Sequence, residues 1–231
     1  MAYKTLLFAL ALIINTTSTA LAATTDTQIS WPDPARYENT IAAFEANTTA
    51  PTGAIVAYGS SSMGGWRRTI REDLAPLTIV PRGFGGSNMN DALYFMDRAI
   101  LPLKPAAVLL YEGDNDVFLG LSTEEILSKY KEFLTRLDAA SPQTRTYIIS
   151  VKPSIARWEI WPAMQELNEQ LKKLSDGNPK VTYIDVATPM LNAEGKPRED
   201  IFLKDKLHMN RTGYEIWRDA VRPVLLKSEP Q

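Results

Sequence analysis

Apolar residues along this chain fall into two alternating kinds of run. Short apolar-rich stretches at 54–58, 77–80, 106–111, 145–151 and 180–186, bounded by glycine, proline and polar residues, predict strands. The first, continuously apolar, is of the kind expected for a strand buried on both faces. Between them, apolar positions recur every three or four residues: Tyr37, Ile41 and Phe44; Met89, Leu93 and Met96; Ile126, Tyr130, Phe133 and Leu137; Met164, Leu167, Leu171 and Leu174. That spacing predicts amphipathic helices. Asp33-Pro34 reads as an N-cap with proline at the first helical position, Ser122 and Glu125 as a capping box, and Ser87 as the cap of the Met89 helix. A polar helix is expected between the first strand and Leu74. The last helix is expected from Arg211 to about Leu226, ended or bent by Pro223.

Strands alternating with helices, each connection long enough for a crossover, predict a mostly parallel sheet covered on both faces, a three-layer α/β/α sandwich. With 231 residues and no internal repeat or linker, one domain is expected. It comprises residues 51–231 together with an N-terminal segment and first helix at 23–50. Residues 1–22 stand apart from it. Lys4 precedes an apolar run from Leu6 to Ile14 and then Ala20-Leu21-Ala22, the layout of a secretory signal peptide cleaved after Ala22. The run is shorter than the roughly 20 residues that span a bilayer. A secreted or periplasmic protein without stable membrane insertion is therefore expected, and a retained anchor is the alternative.

Composition narrows the chemistry. The formal net charge of −2 gives no reason to expect a nucleic-acid partner. There is no cysteine and a single histidine, which argues against thiol chemistry and against a zinc site; no metal or cofactor is expected. The histidine, His208, follows Asp205 by three residues, close enough for the carboxylate to fold back onto the ring. An imidazole held by a buried carboxylate is a general base for a hydroxyl nucleophile; the alternative is a histidine beside a helix cap.

In parallel sheets ligands bind at the carboxyl ends of the strands. Four polar or glycine-rich stretches fall there: 59–62, 83–87, 113–115 and 205–208. A serine in the turn Gly59-Ser60-Ser61-Ser62 would sit beside a helix N-terminus. The amide of Gly86 and the side chain of Asn115 could point donors at the same carbonyl oxygen, completing an oxyanion hole. Read singly, each has a simpler reading: a phosphate-binding turn, a tight turn, a loop residue. Trp66 and Trp158 are candidates for a substrate pocket, with core packing as the alternative. Asn210-Arg211-Thr212 matches a glycosylation acceptor, but a glycan there would block the histidine.

Taken in order, these stretches resemble the sequence blocks of the SGNH, or GDSL-type, serine hydrolases. Residues 54–66 resemble the nucleophile block, 82–88 the glycine block, 113–116 the Gly-x-Asn-Asp block and 205–208 the Asp-x-x-His block, together covering roughly 50–220. The resemblance implies a flavodoxin-like sheet of five parallel strands in order 2-1-3-4-5. It also implies Ser61 as nucleophile, with Ser60 and Ser62 as fallbacks, a triad with His208 and Asp205, and oxyanion donors from Ser61, Gly86 and Asn115. Two positions depart from the family pattern. Gly-Asp-Ser-Leu reads Gly59-Ser60-Ser61-Ser62, and Ser87 follows the oxyanion glycine where aspartate is common. The implied activity is hydrolysis of carboxylic esters of small molecules or glycans. No long lid insertion separates the blocks, which favours short acyl or O-acetyl groups. Acyl transfer to an alcohol, thioester cleavage and a non-catalytic binding module are the alternatives. Oligomeric state is left open.

Overall fold

The computed structural model describes residues 30–46, 51 and 53–229; the expected signal peptide lies outside them. Asp33 Oδ1 accepts the Ala35 N–H at 2.9 Å and starts a 3₁₀ turn, Pro34–Tyr37, that runs into α1, Glu38–Glu45. β1, Ile55–Gly59, follows, and then two short helices, α2 at Ser61–Trp66 and α3 at Ile70–Asp73. Beyond β2, Ile79–Gly83, come α4, Met89–Tyr94, and α5, Met96–Ala99. β3, Ala107–Tyr111, precedes α6, Asp114–Phe118, and α7, Thr123–Ala140. β4, Arg145–Ile149, α8, Trp161–Asp176, β5, Val181–Ile184, and α9, Arg211–Ser228, complete the fold.

The five strands pair in parallel, in the order β2-β1-β3-β4-β5. Side chains alternate between the two faces. Val56, Tyr58, Val108 and Leu110 meet the apolar stripes of α1, α4, α5, α7 and α8. Ile55, Ala57, Leu109 and Tyr111 meet α2, α3 and α9. The apolar side chains of α9 show the spacing at work: Tyr214, Trp217, Val221 and Leu225 are all buried. No described helix is long and apolar enough to cross a membrane.

Local departures from expectation have physical reasons. β2 begins at Ile79 rather than at residue 77, because the Leu77 N–H closes the turn after α3 on Leu74 O at 3.0 Å. It then runs on through Pro81, which an edge strand tolerates since one side of its backbone faces no partner. The polar helix after β1 breaks in two, with Trp66 fully buried at the break. Ser87 does not cap α4. Asn88 does, in a reciprocal box with Asp91, each bond 3.0 Å. Pro223 does not end the last helix; it is exposed within α9, where water can bond the carbonyl it leaves unpaired.

Candidate active site

The strand ends deliver the four loops to one edge. β1 ends at Gly59 with φ +141, and a Cβ there would lie 2.1 Å from the carbonyl oxygen of Tyr111 on β3. Glycine alone permits that contact and that conformation. The chain turns at once into α2, so Ser61 is its first residue. The three consecutive serines are then distinguishable. Ser60 and Ser62 are buried, each 2% exposed, whereas Ser61 Oγ lies 3.0 Å from His208 Nε2.

His208 is presented by a small turn after an isolated bridge between Phe202 and Met209. Leu203 N–H donates to His208 O at 2.8 Å, and Lys206, at φ +57, turns the chain back. Asp205 Oδ1 accepts the amides of Leu207 and His208 at 3.0 and 2.9 Å, and Oδ2 faces His208 Nδ1 at 2.7 Å. The bond to the His208 ring, with those amides, holds the Asp205 carboxyl down at about 2. Its side chain is 48% exposed, so the carboxylate is held by hydrogen bonds and not by burial. With Nδ1–H directed at Asp205, Nε2 presents its lone pair to the Ser61 hydroxyl.

On the other side of Ser61 runs the turn Phe84-Gly85-Gly86-Ser87, closed by Ser87 N–H to Phe84 O at 3.3 Å. Gly86 sits at φ +84, the third-position geometry of a type II turn, which glycine adopts without strain. The turn is adjacent to the serine: a Cβ on Gly85 would fall 3.8 Å from Ser61 Cβ. Asn115, the second residue of α6, donates one side-chain N–H to Ser87 O at 2.8 Å, leaving the other N–H to give. Its Oδ1 accepts both Nη atoms of Arg157 at 3.1 Å, which fixes which way the amide points.

Arg157 belongs to a supporting network for which the sequence carries no periodic signal. It donates to Asp114 Oδ1 at 2.5 Å, while Lys152, 1% exposed, reaches Asp114 Oδ2 at 3.3 Å and Leu207 O at 2.9 Å. Burial alone would raise the Asp114 carboxyl, yet Lys152 and Arg157 bring it below the usual range. One buried carboxylate thus ties together the cations that hold Asn115 on one side and the histidine turn on the other. Ser87 Oγ donates to the fully buried Glu112 at 2.6 Å, anchoring the glycine turn from beneath.

Two candidates are corrected. Trp66 does not line a pocket; it is fully buried, stacks on Tyr214 and donates Nε1–H to Asp73 at 2.7 Å. An indole this large is stable in the core once its N–H finds an acceptor. Trp158 stacks on Trp161 with Lys196 over its ring, outside the cavity that holds Ser61. Asn210 is committed to capping α9, accepting Gly213 N–H at 3.2 Å and donating to Asp200 O at 2.7 Å.

Beneath the glycine turn the buried acids affect stability. Burial raises Asp91 to about 6 and Asp116 to about 7, against about 4 in an unfolded chain. Between those values the folded state holds protons that the unfolded state has released. Their contribution is complete below pH about 4 and is lost as pH rises through about 6 and about 7. The melting temperature is expected to be higher at pH 5 than at pH 8, measured by circular dichroism. A melting temperature that rises over that range would contradict this account.

A parallel five-stranded α/β/α fold, with a serine, a histidine and an acid converging at the strand ends, defines the structural class. Residues 48–216 match the GDSL-like lipase/acylhydrolase family. The chain belongs to that family and is a serine enzyme that hydrolyses ester bonds. None of the curated proteins matches the chain significantly. Among solved structures it is similar to a GDSL-like lipase from Bacteroides thetaiotaomicron, at 22% identity over 85% of this chain and 98% of the other, TM-score 0.71. A structure assigned as an acylhydrolase from Bacteroides fragilis shares 19% over 86% and 98%, TM-score 0.69. A carbohydrate esterase of family 3 from Talaromyces cellulolyticus shares 17% over 76% and 97%, TM-score 0.59. At such identities the likeness is one of fold.

Proposed function

We propose that ester hydrolysis runs through a Ser61–His208–Asp205 triad and an acyl-enzyme. The line of contacts from Ser61 Oγ to His208 Nε2, 3.0 Å, and from His208 Nδ1 to Asp205, 2.7 Å, carries this reading. Ser61 Oγ bonds to the ester carbonyl carbon as His208 takes its proton. The amides of Ser61 and Gly86 and the free N–H of Asn115 hold the oxyanion. The carbon–oxygen bond to the alcohol breaks, and His208 returns the proton to the departing oxygen. Water, deprotonated by the same ring, then releases the acid and frees Ser61. Asp205 holds the ring tautomer and stabilises the imidazolium.

The substrates proposed are short-chain esters, O-acetyl groups of glycans among them. Incubation with phenyl acetate is expected to give acetate and phenol, with little acetyl transfer to an added sugar or glycerol. Transfer outpacing hydrolysis would replace this reading with a transferase. We also propose export, on the strength of the leader-like residues 1–22. The mass of protein recovered outside the cytoplasm is expected to correspond to a chain starting at Ala23. An intact N-terminus would instead indicate a retained anchor.

A further inference from the structure

The cavity beside Ser61 and His208, of about 490 Å3, has a chemistry that the hydrolytic step does not use. Its wall runs from the end of α2, through the turn that follows, to the histidine turn and the start of α9. Three of its lining side chains are arginines, Arg67, Arg68 and Arg211, and none is acidic. In a chain of net charge −2, that concentration of positive charge is local to the site.

The three are not equivalent. Arg211 is neutralised by Asp73, which accepts from both its Nη atoms at 2.7 and 2.6 Å. Arg67 and Arg68 are exposed and have no hydrogen-bond or ion-pair partner among the described residues. Leu203, Met209 and Tyr214 add apolar surface to the same cavity. Guanidinium groups suit carboxylate and phosphate oxygens, which they bind through paired N–H donors.

His208 also fixes which part of an ester lies here. The departing alcohol oxygen takes its proton from the ring, so it passes the His208 side of Ser61. His208 lines this cavity, whereas Gly86 and Asn115 do not. We infer that the cavity receives the alcohol portion of an ester bearing an anionic group, carboxylate or phosphate. Its apolar spacer rests on Leu203 and Tyr214, and its charge meets Arg67 and Arg68. The inference rests on the hydrolase reading above.

The test compares kcat/KM for matched esters: para-acetoxybenzoate and para-acetoxyphenyl phosphate against neutral para-acetoxybenzamide, and phenyl hemisuccinate against phenyl butyrate. At low salt the alcohol-side anions are expected to be preferred over the neutral ester by about tenfold. High salt should shrink the preference, and Arg67→Gln/Arg68→Gln should bring the ratio close to one. Arginines that only complement the C-terminus of α2 would leave the ratio unmoved in the double variant. That result overturns the inference, as does a wild-type ratio near one or a preference confined to the acyl-side anion. Hydrolysis of the neutral esters without charge preference defeats this inference alone. Absence of any turnover, with Ser61 unreactive to a fluorophosphonate, defeats the hydrolase mechanism and this inference with it.

Discussion

Ser61→Ala and His208→Ala are each expected to lower kcat/KM on phenyl acetate by about 10⁴- to 10⁶-fold, with the melting temperature nearly unchanged. The two effects should not add. Without the serine there is no acyl-enzyme for the base to serve, and without the base the hydroxyl remains a weak nucleophile. The double variant should therefore be about as slow as either single one. Neither side chain supports the fold: among the described residues Ser61 Oγ bonds His208, and the ring bonds only Ser61 and Asp205. Near wild-type turnover in either variant would remove that residue from the chemistry. A large loss of melting temperature would turn a catalytic effect into a structural one.

Asp114→Ala is expected to cost about 3–5 kcal/mol of stability, measured by urea unfolding at neutral pH. The size follows from what remains behind. Lys152, 1% exposed, would keep only the Leu207 carbonyl as an acceptor for its ammonium among the described residues, and Arg157 would keep Asn115 Oδ1 and the backbone carbonyl at position 114. An ammonium group buried with one neutral acceptor either stays charged at high cost or gives up its proton. Activity should fall as well, since Lys152 holds the carbonyl beside His208 and Arg157 holds the amide of Asn115. A variant as stable as the parent would show that these cations have other partners and that the shared carboxylate is dispensable.

The fold was legible because its elements are written in short-range patterns. Short apolar-rich stretches marked the strands, and spacings such as Ile126, Tyr130, Phe133 and Leu137 marked the helices, all four of these being buried. The structure departs from the sequence pattern where two local signals compete. Ser87 and Asn88 both suit a cap, and only the acceptor at Glu112, 25 residues away, draws Ser87 inward. Leu77 looks like strand, yet its amide is taken by a turn.

At the site, the members of the proposed triad, Ser61, Asp205 and His208, could be named because each lies in a short block with its own local geometry. The supporting charges could not. Lys152 and Arg157 follow a strand end, where a cation usually faces solvent, and the carboxylate that buries them is about 40 residues away in sequence. Trp66 misled for a related reason. Adjacency to the serine turn suggested a pocket, but α2 points the indole at Asp73 and Trp217 instead.

The most direct measurement is to treat the protein with a serine-directed fluorophosphonate and locate the adduct by peptide mass spectrometry. One phosphonyl group on Ser61 is expected, absent in Ser61→Ala and formed far more slowly in His208→Ala. An adduct on Ser60 or Ser62, or labelling that is indifferent to the loss of His208, would contradict the triad.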